Sequence, residues 1–184
     1  MVQERKPAPS DTTQQHDATQ LAQQARRAWD AWVASKLHHE STAVAGVNLK
    51  RGEVAYCTIE EAGLVEPDEA GATTVTDTGV FVVTNDRCVF VGSKRTTEWV
   101  YANLLGYSAD REALTMFSVR SGQKKTGVKY TVETAPRVDA TIAAAIARFH
   151  GEDEHAAVVA ELEQAYRRAY AEWEELGSHS PPTA

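Results

Sequence analysis

The stretch Gly79-Val-Phe-Val-Val-Thr-Asn-Asp-Arg-Cys-Val-Phe-Val-Gly92 decides how this 184-residue chain is read. Two apolar runs, Val80 to Val83 and Cys88 to Val91, flank the polar tetrad Thr84-Asn85-Asp86-Arg87. β-Branched and aromatic residues fill both runs, and Asn-Asp accepts the left-handed backbone of a tight turn. The pattern predicts two antiparallel strands joined at Asn85-Asp86. Each strand is apolar on both faces, so the hairpin belongs in a closed or covered sheet and not on an open edge.

Outward from the hairpin, a β region is expected from about Val47 to Thr134. Gly52 to Ile59 alternates as a first strand after a Lys50-Arg51-Gly52 turn. Ala62 to Glu69 reads as an acidic loop holding one apolar pair, Leu64 and Val65. Thr73 to Thr76 makes a short strand, and Thr96 to Tyr101 another, with Trp99 and Tyr101 on one face. Leu104 to Tyr107 is short, Leu114 to Arg120 alternates, Ser121 to Gly127 is a turn, and Val128, Tyr130 and Val132 lie in the last strand. About six to eight short strands at this spacing indicate an antiparallel barrel or sandwich.

Helical periodicity flanks this region. Leu21, Ala25, Ala28, Trp29, Trp32, Val33 and Leu37 recur at spacings of three and four, which predicts a helix from about Thr13 to Glu40. Pro136 opens a second helix, with Val138, Ile142, Ala145, Ile146 and Phe149 on one face and Gly151 as its stop. A third is expected from about Asp153 to Leu176, striped by Val158, Leu162, Tyr166, Ala169 and Trp173 and closed by Gly177.

Strand order and turns together resemble the bacterial pleckstrin-homology-like and GRAM-like domains over about residues 47–150. The cues are Leu49-Lys-Arg-Gly-Glu-Val54, Asp77-Thr-Gly-Val-Phe-Val-Val-Thr-Asn-Asp-Arg87, Val89-Phe90 and Ser93-Lys-Arg-Thr-Thr-Glu-Trp99. The resemblance implies an α+β fold: an antiparallel pleckstrin-homology-like β-barrel capped by a C-terminal helix, with extra N- and C-terminal amphipathic helices. On that reading, residues 1–12 are a disordered tail and 13–46 a helix and linker. Residues 47–150 are the barrel with its capping helix, 152–177 a C-terminal helix and 178–184 a second disordered tail. The resemblance also implies a binding module rather than a catalyst. Lipid-binding members of the superfamily carry basic residues in the loop after the first strand. Here that region holds Glu60, Glu61, Glu66, Asp68 and Glu69, which opposes phosphoinositide binding there.

Composition narrows the classes further. Apolar residues make up 42% and charged residues 24%, as in ordinary soluble domains. A net charge of −7 opposes general nucleic-acid binding, which needs a basic surface. No apolar run reaches membrane-span length and no secretory leader is read, so the expected location is cytoplasmic, without stable membrane insertion. Cys57 and Cys88, set among apolar neighbours in strands, are expected as core residues.

Between Asp86 and Lys129 the local net charge is +4, from eight basic residues and four acids. Lys94, Arg95, Lys124 and Lys125, all borne on turns, are the candidate site for an anion or an acidic partner. The other reading is that these turns are simply solvated. His38-His39-Glu40 marks a helix C-terminus better than a metal site, because adjacent helical residues diverge by about 100°. No nucleophile elbow, phosphate loop or dinucleotide fingerprint is present, so no catalytic residue, metal or cofactor is assigned.

The stripes Leu21/Trp29/Trp32 and Leu162/Tyr166/Trp173 form the candidate helix interaction surface. They pack within the chain, between copies of it as a homo-oligomer, or on another protein. The function expected is a non-enzymatic protein-interaction or assembly module acting through these flanking helices. The alternative is a peripheral module for anionic lipid or another anionic ligand, bound through the basic turns.

Overall fold

The computed structural model describes residues 11–39, 44, 46–68, 71–110, 113–120 and 125–175, with the backbone alone for 11–15. Most of both expected tails, the stop at Gly177 and the 121–124 part of the expected turn, Lys124 included, lie outside the described residues. The elements are α1 (Asp11–Ser35), β1 (Ala55–Pro67), β2 (Thr73–Thr84), β3 (Arg87–Gly92), β4 (Thr96–Val100), β5 (Leu104–Ala109), β6 (Leu114–Val119), β7 (Thr126–Lys129), α2 (Ala135–His150) and α3 (Glu152–Glu175). A single 3-10 turn, Tyr101–Asn103, carries the chain from β4 to β5.

The fold is α+β, with one seven-stranded antiparallel sheet in the order β4-β3-β2-β1-β7-β6-β5. Among the described residues no ladder joins β4 to β5, so the sheet is not closed. The β2–β3 hairpin turns at Asn85-Asp86, with Val83 opposite Cys88 and Phe81 opposite Phe90. Its double apolar pattern has a physical cause. Phe81, Val83, Cys88 and Phe90 enter the main core with Trp99, Phe117, Val128 and Ile142. Val82 and Val89 face the other way, where Val44, Val47 and Leu49 cover them. The sheet is covered on both faces at this point.

One end of the sheet also reaches strands near the other end through side chains. Trp99 of β4 stacks on Phe117 of β6 at 4.6 Å between ring centroids and donates its Nε1–H to Thr126 Oγ1 of β7 at 3.0 Å. Hence the sheet curls until its first strand lies over its last ones.

Five local expectations need correction. Thr73 to Thr76 is not a separate short strand but the start of β2, which runs unbroken into the hairpin. The last strand, β7, ends at Lys129, so Tyr130 and Val132 lie beyond it. β1 does not stop at Ile59 but runs to Pro67, with Ala62, Leu64 and Val65 buried. The exposed pair Glu60-Glu61 sits at a register shift against β2, so a bulge there breaks the alternation and disguises strand as acidic loop. α1 ends at Ser35, short of Glu40, and Leu37 takes a left-handed backbone (φ 51°) that turns its side chain into the core. Of the apolar face of α2, Ile142 is fully buried and Ile146 partly. Phe149 stays 39% exposed, its ring edge-on to Tyr101 at 5.7 Å.

α1 and α3 pack on α2 and on each other. They run antiparallel, because His155 near the start of α3 reaches the Ser35 carbonyl at the end of α1, 2.8 Å from its Nε2. No described helix is long and apolar enough to cross a membrane.

Candidate functional site

The hairpin tetrad does structural work at both of its ends. Thr84 Oγ1 accepts from the amides of Asp86 (3.2 Å) and Arg87 (3.0 Å), which closes the turn. Asn85 Oδ1 accepts from the Val54 amide at 2.9 Å, tying the turn to the segment before β1. Arg87 points inward, its side chain 4% exposed. Its guanidinium grips Glu53 with two bonds of 2.8 and 3.0 Å, donates to the Asn48 carbonyl at 2.9 Å, and pairs with Glu98 of β4. Burial alone would raise the Glu53 carboxyl. Hydrogen bonds from Arg87, the Lys50 amide and Thr84 outweigh it and hold the carboxyl below its ordinary range. The hydrogen bonds to Glu53 likewise hold Arg87 above its ordinary value against desolvation.

A second carboxylate organises the basic turn between β3 and β4. Asp77, 6% exposed, accepts from Ser93 Oγ at 2.7 Å and from the amides of Thr78 and Lys94, each at 2.9 Å. Desolvation works against its charge, yet these bonds lower its pKa to about 2. Carboxyl-carbon NMR is therefore expected to show Asp77 titrating near pH 2, well below an ordinary aspartate. A midpoint near 4 would mean the turn is not built this way. The side chains of the turn are engaged too. Lys94 Nζ donates to the Thr76 carbonyl at 2.7 Å, and Arg95 pairs with Glu66 of β1. Lys125 is exposed, and Lys124 lies outside the described residues.

The third cluster escaped the sequence because its members have no local spacing. Tyr130 donates its hydroxyl to Asp139 of α2, and Thr115 of β6 lies 2.7 Å from the Tyr130 oxygen and 3.2 Å from the carboxylate. Burial raises the Asp139 carboxyl despite both bonds, and raises the Tyr130 hydroxyl, with Asp139 adding to it. This knot fixes the N-terminal half of α2 to the sheet. Nothing in the sequence joins residues 115, 130 and 139 except the hydroxyl and carboxylate types themselves.

Cys57 and Cys88 are buried free thiols. Burial pushes Cys88 up to about 12, which leaves it almost wholly protonated at neutral pH. His38 lines a cleft of about 210 Å³ between α1, β1 and α2, together with Trp29, Val33, Tyr56, Arg137 and Thr141.

The helix stripes meet inside the chain. Trp32 stacks on Tyr166 at 5.4 Å with 7° between ring planes, and Trp29 sets its edge against both, at 5.2 and 5.1 Å. Trp173 is 5% exposed and packs beside Tyr170. Lys36 places its ammonium 3.8 Å from the centre of the Trp32 ring. Leu162 is half-buried, and Leu21 lines a groove of about 430 Å³ with Glu172 and Glu175 at the far end of the pair.

No protein-family model matches the chain, and no curated protein is similar to it in sequence.

Proposed function

We propose that the chain is a non-enzymatic, cytoplasmic protein-interaction or assembly module built on a pleckstrin-homology-like barrel. The observation that carries this reading is the curl of the sheet. The strand order β4-β3-β2-β1-β7-β6-β5, with Trp99 of β4 reaching Phe117 of β6 and Thr126 of β7, folds one end of the sheet over strands near the other, and this curl supports the barrel reading. α2 contributes Val138 and Ile142 to the same core, the place of a capping helix. Each polar cluster described is engaged in holding backbone: Glu53–Arg87 the hairpin base, Asp77 the next turn, Asp139 the capping helix. The buried free thiols suit a reducing compartment. The aromatic stripes of α1 and α3 clamp these helices to each other, so on this reading recognition falls to the surface of the sheet.

In the anionic-lipid alternative, Lys94 and Arg95 must leave Thr76 and Glu66 before they meet a headgroup. Sedimentation with vesicles containing phosphatidylserine separates the two readings. The chain is expected to stay in the supernatant even at low salt. Retention by acidic vesicles that fades as salt rises would overturn the reading in favour of a lipid module.

A further inference from the structure

The cleft of about 210 Å³ where α1, β1 and α2 converge has apolar walls that are held from behind. Trp29 stands edge-on to Trp32 and to Tyr166 of α3, at 5.2 and 5.1 Å. Tyr56 of β1 is rooted in the main core, 8% exposed. Val33 and Ala34 of α1 add aliphatic surface. The Thr141 hydroxyl donates to the Arg137 carbonyl of its own helix at 2.8 Å, so it asks for no partner in the cleft.

Strain brings a polar group to the same place. Only two non-glycine residues among those described take a left-handed backbone, and Leu37 is the bulkier of them. Such conformations persist where the surrounding structure imposes them, often at ligand sites. Here the turn sends Leu37 into the core and sets the next residue, His38, on the cleft. The last carbonyls of α1 in the lining are already used, Val33 by the Lys36 amide and Ala34 by the Leu37 amide. Asp30 also lines the cleft but accepts from Arg26 Nε at 3.1 and 3.3 Å, which neutralises it. Arg137 therefore sets the sign of the opening, and its place in the first turn of α2 adds the positive end of that helix.

We propose that this cleft binds a small aromatic carboxylate, with the ring against Trp29 and Tyr56 and the acid group on Arg137. Size and charge together select that class. An apolar cavity of roughly 150 Å³ admits benzene, so the space here suits one ring with a short arm and excludes a nucleotide. Aromatic walls favour a flat apolar body in offset or edge contact. The planar guanidinium matches a carboxylate with two parallel donors. Such a ligand is independent of the assembly reading, because the cleft opens between the helices and the core face of β1 and leaves the rest of the sheet uncovered.

The test is a titration of the full chain with phenylacetate, read by calorimetry and by the NMR signals of the Val33, Ala34 and Thr141 methyls and the Trp29 indole. Saturable binding is expected, with the shifts centred on those residues. Benzyl alcohol keeps the ring without the charge, and acetate keeps the charge without the ring. Each should bind more weakly than phenylacetate by about tenfold or more, the weight of a charge-assisted hydrogen bond or of a buried ring. Arg137→Gln, at an exposed position, should cost phenylacetate the same factor and leave benzyl alcohol unaffected, with the circular dichroism spectrum of the parent. Ala34→Phe, which fills the cleft, should abolish binding of both. In the unmodified chain, phenylacetate affinity should fall as salt rises, a readout that needs no variant to fold. Three results would each overturn the proposal: no saturable shift, shifts centred outside the cleft, or benzyl alcohol binding as well as phenylacetate. An affinity for phenylacetate that survives both added salt and Arg137→Gln would do so as well.

Discussion

Glu53→Gln is expected to destabilise the protein by about 3–5 kcal/mol, the range found when one partner of a buried ion pair is removed. The loss follows from what is left behind. Arg87 stays almost wholly buried, with only the half-exposed Glu98 and a backbone carbonyl to balance it. The Lys50 amide, which donates to Glu53 at 2.7 Å, loses a charged acceptor as well. Pairing the change with Arg87→Met removes the orphaned guanidinium and should restore a large part of the loss. An additive double variant would show that the two side chains do not act as a unit. The pH dependence has a definite sign. Because the folded carboxyl lies below its ordinary value, its contribution is complete above that value and is lost as pH falls through the lower, folded one. Denaturant melts at descending pH should show a steeper acid limb in the parent than in Glu53→Gln, where the limb set by Asp77 remains.

The second large effect is expected in the helical layer. Trp32→Glu with Trp173→Glu should lower the melting temperature sharply and leave the molecular mass unchanged, because both rings are used within the chain. Truncating a core tryptophan costs roughly 3–5 kcal/mol, and a carboxylate in its place adds desolvation. Trp32→Phe is the control. The Trp32 Nε1–H is buried without a hydrogen-bond acceptor, so phenylalanine keeps an aromatic ring against Tyr166 and removes an unsatisfied donor. That variant should melt far closer to the parent than the double glutamate variant does, because it places no charge in the layer. If the double variant instead stays as stable as the parent and drops in mass, the stripes bind between copies and the aromatic clamp is misassigned.

Residues 79 to 92 were legible because two local signals agree there: strand-forming side chains on both flanks, and turn formers between them. The Trp and Tyr stripes were legible as apolar surfaces for the same reason, since helical period is a local property. Which partner a stripe meets is not local, and the 120-residue separation of Ser35 and His155 shows why. Residues 60 to 67 misled because a bulge costs the alternation one residue, and two glutamates occupy it. Arg87 was read as part of the polar tetrad but opens β3, and its inward direction depends on Glu53 and Glu98, which only the sheet register brings to it. Asp77 stands within β2, and nothing near it in sequence shows what it holds. It serves a turn that lies 16 to 18 residues further along the chain.

The antiparallel lie of α1 and α3 has a topological consequence. The groove lined by Asp17, Gln20, Leu21 and Gln24 on one side and by Glu172 and Glu175 on the other puts the outer ends of both helices at one place. A short flexible linker between those ends would close the polypeptide into a ring without crossing the sheet. The chain is then free to be reopened elsewhere, at an exposed turn such as the one near Gly71, as a circular permutant with the same neighbours in space. By the same geometry, two cargoes fused beyond α1 and beyond α3 would sit side by side, on the helical face rather than on opposite poles of the molecule.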